Sequence, residues 1–130
     1  MNFIGVDISK NYIGFSVNIC NTNICSPLCI IKNKKIIFME KLKEIKEYYK
    51  DVFFVIGIPD KKIHEYNHIF IKNFTHRFRS LLQPFDFTNE NYTTFLSKSF
   101  NIDKKKRTDD IASSLFLKDY LLEKKIINIS

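Results

Sequence analysis

Asp7 sits where an acid is hard to keep. It follows an apolar run, Phe3-Ile4-Gly5-Val6, near the start of the chain, and a second β-like run, Tyr12-Ile13-Gly14-Phe15-Ser16-Val17, comes shortly after. A carboxylate inside a buried strand is costly unless something compensates it, and a metal cation is the expected compensation. Two further acids can join it: Glu90, at the C-terminal end of the last strand-like run, and Asp109, at the start of the last helical stretch. In sheets with parallel strands, sites gather at those strand ends. Carboxylates from the first strand, the last strand and the last helix could together hold one or two Mg²⁺ or Mn²⁺ ions, about 3.5–4 Å apart when paired. Such a site suits phosphodiester hydrolysis, which must place a water in line with the leaving oxygen and absorb charge on the phosphate. Without metal the acids repel, and at least one pKa should rise. Plainer uses exist for two of them. Glu90 fits a solvated strand end, and Asp109 with Asp110 fits the positive end of a helix dipole. Asp7 is the least easily dismissed.

The charge balance points the same way. The chain has 21 Lys and Arg against 14 Asp and Glu, a net charge of +7. A surplus of this kind favours an anionic partner, most often nucleic acid. It is partly clustered, in Lys104, Lys105, Lys106 and Arg107 just ahead of Asp109, and in Lys32, Lys34 and Lys35. A Lys-rich composition alone can also raise the charge. Thirteen Phe, no Trp and abundant Ile, Lys and Asn fit the codon drift of an AT-rich genome.

Two other groups of residues compete for attention. His64-Glu65-Tyr66-Asn67-His68 matches H-E-x-x-H, in which two His bind zinc and Glu is the base. On a helix, at about 100° per residue, both His lie roughly 100–140° from the apolar face set by Ile63, Phe70 and Phe74. A third ligand is also needed. His76 comes too soon for the common longer form, so solvent-facing histidines are the expected reading. Cys20, Cys25 and Cys29 are odd in number and lack the C-x-x-C pairs of common zinc sites, which fits a reducing compartment better than a disulfide scaffold.

The elements that must position the acids follow from periodicity. Residues 2–8, 12–19 and 27–38 read as three strands, the last broken at Lys32-Asn33-Lys34-Lys35, and together they suggest an antiparallel meander. Apolar spacing of three and four over 39–50 predicts a helix. Val52-Phe53-Phe54-Val55-Ile56-Gly57-Ile58 reads as a strand in the buried centre of a sheet. A long helix is expected over 61–82, with Ile63, Tyr66, Phe70, Phe74, Phe78 and Leu81 on its apolar face. Phe85-Asp86-Phe87 then forms a strand leading to Glu90. A short helix over 91–99, a basic loop over 101–107 and a last helix over 108–125 complete the chain, with Thr108 as the expected N-cap. Ala112 and Ser113 would let that helix approach a strand closely. The order βββαβαβαα gives an α/β fold, a five-stranded mixed sheet flanked by helices. At 130 residues it is expected to form one domain over residues 1–130. No apolar run approaches the roughly 20 residues that span a bilayer. Lys10 is the lone basic residue near the start, which argues against a signal peptide. A cytoplasmic protein without a membrane partner is expected.

Taken together, several segments resemble the YqgF family, also called RuvX, whose Holliday-junction-resolvase-like members are regarded as pre-16S rRNA nucleases. They are Gly5-Val6-Asp7-Ile8-Ser9-Lys10-Asn11-Tyr12-Ile13-Gly14, Val55-Ile56-Gly57-Ile58-Pro59, Asn89-Glu90-Asn91-Tyr92-Thr93-Thr94, and Lys104-Lys105-Lys106-Arg107 leading into Asp109-Asp110-Ile111-Ala112 and Leu115-Phe116-Leu117-Lys118-Asp119-Tyr120-Leu121. The strength lies in their joint order, which spans nearly the whole chain. The resemblance implies the RNase H-like fold and a Mg²⁺ or Mn²⁺ site whose three acids fall on Asp7, Glu90 and Asp109. There are departures. Ser9 stands where the family usually has Gly, Tyr12 where it has Arg, Asn89-Glu90-Asn91 for Asp-Glu-Arg, and Asp60-Lys61-Lys62 for an Asn- and Gly-rich loop. The acids survive, while two basic residues and a loop do not.

The expected function is a metal-dependent nuclease acting in 5′ maturation of precursor 16S rRNA, with Asp7, Glu90 and Asp109 catalytic. Lys10, Lys104, Lys105, Lys106 and Arg107 would grip backbone phosphate, which carries little sequence information. Two alternatives keep the scaffold: an RNA-binding or ribosome-assembly factor without activity, and a nuclease for branched, Holliday-junction-type DNA. Ribosomal particles are expected partners, and the protein would be a monomer or weak homodimer.

Overall fold

The structure, a computed structural model, describes residues 1–20, 22–90 and 107–128. Its strands are β1 (Asn2–Ile8), β2 (Tyr12–Asn18), β3 (Cys25–Lys32), β4 (Val52–Ile58) and β5 (Phe85–Asn89). Its helices are α1 (Lys35–Tyr49), α2 (Glu65–Arg77), the short α3 (Arg79–Leu82) and α4 (Asp109–Glu123). The strand order is β3-β2-β1-β4-β5. The β1–β2 and β2–β3 pairs are antiparallel, and β1–β4 and β4–β5 are parallel. This is the mixed five-stranded sheet of the RNase H-like fold. The short helix expected over 91–99 and the basic loop up to Lys106 lie outside the described residues. Among the described residues, no helix is long and apolar enough to cross a membrane.

The period-2 alternation of strand side chains divides the sheet into two unlike faces. Ile4, Val6 and Ile8 of β1, Ile13, Phe15 and Val17 of β2, and Phe54, Ile56 and Ile58 of β4 build one large core with Phe38, Leu42 and Ile45 of α1 and with Ile71, Phe74, Phe78 and Leu82. The opposite face carries Gly5 and Asp7 of β1, Gly14 and Ser16 of β2, Val55 and Gly57 of β4, and lies under α4, whose Leu117, Tyr120 and Leu121 pack on Val55. Small side chains on this second face let α4 lie close. A Cβ added at Gly5 would stand 2.6 Å from Ser113 Oγ, and one at Gly57 would stand 2.6 Å from the Phe116 ring. Ser16 and Ser113 close the gap with a buried hydroxyl–hydroxyl hydrogen bond of 2.8 Å.

Three expectations need correction. Residues 35–38 begin α1 and are not strand. The helical spacing starts at Phe38, Leu42 and Ile45, all buried, so Ile36 and Ile37 belong to the first turn despite their β-branched side chains. β3 instead begins at Cys25 and includes Pro27, which an outer strand accommodates because one side of it makes no ladder. The helix expected over 61–82 is also shorter and interrupted. Asp60 organises a turn ahead of it, with Lys62 N–H donating to Asp60 Oδ1 at 2.8 Å and His64 N–H to Asp60 O at 2.9 Å, and Phe78 separates α2 from α3. Ile63 and Tyr66 are exposed, so the apolar face is confined to the second half, through Phe74, Phe78 and Leu82. Finally, Thr108 occupies the position before α4 but makes no side-chain cap bond.

Phe38 is the hinge pin of the larger core. Its ring stacks on Phe15 at 6.4 Å and meets Phe74 and Phe78 edge-on, each at 5.1 Å. Phe38→Ala is expected to destabilise the fold by about 3–5 kcal/mol in urea denaturation, the range for a fully buried aromatic.

Candidate metal centre

Asp7 and Glu90 reach one spot because of the parallel half of the sheet. Asp7 lies near the end of β1, and Glu90 follows directly on β5, its N–H reaching Ile58 O at 3.3 Å. Between these strands runs β4, whose Gly57 pairs with Thr88 and follows Ile56, the partner of Val6. The two carboxyls come within hydrogen-bonding reach of each other across β4. Both are sheltered, Asp7 being 9% and Glu90 8% exposed.

Asp109 arrives on the third element. The first turn of α4 rests on Gly14: a Cβ there would lie 2.5 Å from Asp109 O and 2.6 Å from Asp110 N. Since Gly14 pairs with Asp7 across the β1–β2 ladder, this contact sets the helix start beside the buried acid. The neighbouring Asp110 turns elsewhere. Its charge acts on Cys29 of β3, while Asp109 acts on both Asp7 and Glu90.

The electrostatics follow from that arrangement. Burial holds the Asp7 carboxyl well above the usual carboxylate range; Glu90 and Asp109 push it further up, and Arg107 pulls the other way. Burial also raises Glu90, as does Asp109, while a hydrogen bond with Asp7 lowers it. A proton held between these two carboxyls relieves their repulsion. Asp109 is engaged differently. Arg107 Nη2 donates to Asp109 Oδ2 at 2.6 Å, and the guanidinium lies 4.1 Å from the centroid of the Tyr12 ring. Among the described residues no three donor side chains close on a single point as a ready-made metal cage. The Asp109 carboxylate is engaged by the Arg107 guanidinium instead.

The donor set fits a hard divalent cation. All three groups are carboxyls, two are withdrawn from water, and like charges that act on one another favour any cation that joins them. Asp7, Glu90 and Asp109 would hold it.

The remaining expected residues divide. Lys10 is exposed at the tip of the β1–β2 turn, and Arg107 stands at the site. Lys104, Lys105 and Lys106 lie outside the described residues. The H-E-x-x-H segment makes no zinc site among the described residues. His64 precedes α2 and is exposed, and His68 turns its Nδ1 to Pro59 O at 2.8 Å. Sequence reasoning missed the seat that Gly14 makes for Asp109 and the ring that Tyr12 offers Arg107. The first had a signal, since Gly5, Gly14 and Gly57 all fall on the strand face opposite the Ile- and Phe-rich core.

Two measurements test this geometry. A raised native pKa means that the folded chain keeps a proton which the unfolded chain has released, so stability falls as pH rises from the ordinary carboxylate range through the Asp7 value. Asp7→Asn removes that penalty. Without metal at pH 7.5 it is expected to raise the melting temperature by about 5 °C and to flatten the loss of stability as pH rises above the ordinary carboxylate range. Gly14→Ala is expected to lower stability by about 2 kcal/mol or more through overpacking against the α4 backbone, and to weaken Mn²⁺ uptake, both read by titration calorimetry and urea denaturation.

The fold and site can be set beside known proteins. The family model of RuvX, described as Holliday junction resolvase, matches residues 1–123. A protein of Malacoplasma penetrans (strain HF-2) named "Putative pre-16S rRNA nuclease" is 34% identical over 136 residues, covering 94% of each chain. Among solved structures, T. thermophilus RuvC in complex with a Holliday junction substrate superposes with a TM-score of 0.57 at 8% identity, covering 96% of each chain. The Fowlpox virus resolvase with its Holliday junction DNA gives 0.50 at 16% identity, over 98% of this chain and all of that one. These two likenesses concern the fold; the family match and the M. penetrans relative carry the kinship, and by them the chain belongs to the RuvX family.

Proposed function

We propose that this protein is a metal-dependent endonuclease that cleaves phosphodiester bonds in structured RNA, acting in 5′ maturation of precursor 16S rRNA. The observation that carries this reading is the buried Asp7–Glu90 carboxyl pair with Asp109 brought beside it on the first turn of α4. Membership of the RuvX family supports a nuclease, and the name of the M. penetrans relative supports the substrate. The work would be done in the cytoplasm, on precursor ribosomal particles.

A bound Mg²⁺ or Mn²⁺ supplies a polarised phosphate and an acidified water. The protein's residues do the rest. Asp7 and Glu90, withheld from solvent, present oxygens whose attraction for a cation is little screened by water. Burial raises both of these carboxyls above their ordinary range, so loading would strengthen as pH rises. Asp109, at the positive end of α4, is the more accessible carboxylate. The surplus of Lys and Arg draws in the phosphate backbone, contributing affinity without reading sequence.

The family description favours a second reading, cleavage of branched DNA by the same acids. A labelled precursor RNA and a four-way DNA junction, each incubated with Mg²⁺ and wild-type or Asp7→Asn protein, separate the possibilities. RNA cleavage that falls at least 100-fold in the variant is expected, in line with loss of a transition-state charge stabiliser. Preferential junction cutting would select the DNA reading. Equal cleavage by both proteins, or tight RNA binding without any cut, would refute the nuclease assignment.

A further inference from the structure

Arg107 and Tyr12 are 95 residues apart in sequence and meet at the rim of the acid trio. The guanidinium uses its face on the Tyr12 ring, at 4.1 Å, and one edge on Asp109, at 2.6 Å. The pair is half-sheltered: the Arg107 side chain is 46% exposed and that of Asp109 is 17%. Tyr12 begins β2 on the face that carries Gly14, so its ring lies beside the seat of Asp109. Nothing in the core requires an aromatic ring there, because Tyr12 belongs to neither apolar cluster.

Building on the metal-dependent nuclease reading, we propose that Tyr12 is a positioning residue for Arg107. Its ring holds the guanidinium at the mouth of the site, where Arg107 clamps Asp109 until a divalent cation takes that carboxylate, and from where it then meets a phosphate of the bound strand.

The argument is one of charge and geometry. A guanidinium and a hard cation on one carboxylate repel each other, and the divalent ion holds it more strongly. Metal uptake therefore loosens the Arg107–Asp109 clamp. An arginine held by the clamp alone would swing into solvent, because a long side chain gains rotamer freedom there. Stacking on Tyr12 does not depend on Asp109, so it keeps the released guanidinium at the rim. A planar fork with several N–H donors, part exposed, matches a phosphate. Arg107 is thus the cation that faces Asp109 without metal and a phosphate contact with it, and the ring is its pivot.

The test uses wild type, Arg107→Ala, Tyr12→Leu and Tyr12→Phe, each checked for folding by its melting curve. Mn²⁺ uptake by the protein alone is read from the electron paramagnetic resonance of free Mn²⁺. Binding of a fluorescein-labelled RNA hairpin, with Ca²⁺ in place of Mg²⁺, is read by anisotropy. Arg107→Ala is expected to bind Mn²⁺ about tenfold more tightly and the hairpin about tenfold more weakly, the scale of one charge-assisted hydrogen bond. Tyr12→Leu is expected to weaken hairpin binding about threefold, the scale of an exposed cation–π contact, and Tyr12→Phe to restore it. Unchanged Mn²⁺ affinity in Arg107→Ala, or hairpin binding that does not distinguish Tyr12→Leu from Tyr12→Phe, would overturn the proposal while leaving the nuclease reading standing. A wild-type protein that takes up no Mn²⁺ would sink that reading, and this proposal with it.

Discussion

The structure turns on a carboxyl kept out of water. Asp7 lies on the α4-facing side of β1, withdrawn from water beneath the helix, and the fold tolerates it only by arranging other polar groups around it. Glu90 shares its proton and Asp109 stands behind, itself neutralised by Arg107. A buried charge without compensation would be among the most expensive features a small domain could carry. Here it is the reason for the course of the chain at three places: the end of β1, the end of β5 and the start of α4.

Bringing a helix to such a spot demands room, and the sheet supplies it by omission. Gly5, Gly14, Ser16 and Gly57 leave shallow ground beneath α4, and Ser113 and Phe116 settle into it. The same sheet, seen from its other side, is dense with Ile, Val and Phe against α1 and α2. Stability is drawn mostly from that second layer, which leaves the α4 layer freer to carry polar groups. The division explains how a chain of this size keeps a firm core and a strained polar site within one sheet.

Much of this was legible in the sequence. β1, β2, β4 and β5 announce themselves by apolar runs, and their ends by Asp, Asn and Pro. The three acids could be named from strand-end logic and family resemblance together. Where the reading slipped, a local signal met a non-local decision. Ile36 and Ile37 look like strand, yet Phe38, Leu42 and Ile45 set a helical stripe that tertiary burial rewards. Ile63 and Tyr66 continue the spacing of α2 but point to solvent, because the Asp60 turn delays the helix. Nothing local distinguishes Asp109 from Asp110; the contact of the α4 backbone with Gly14 makes the distinction. The same holds for Tyr12, which read as a missing arginine and proves to lie under one supplied from position 107.

The outermost strand deserves a last thought. β3 borders the sheet with Pro27 near its start, and its register against β2 shifts at Phe15 and Ser16. A ring nitrogen without hydrogen cannot bond an incoming strand, and an irregular border offers no straight template. At the far border β5 has only five residues to offer. For a polypeptide so rich in isoleucine and phenylalanine, these two awkward margins discourage molecules from zipping together edge to edge into aggregates while they are being made.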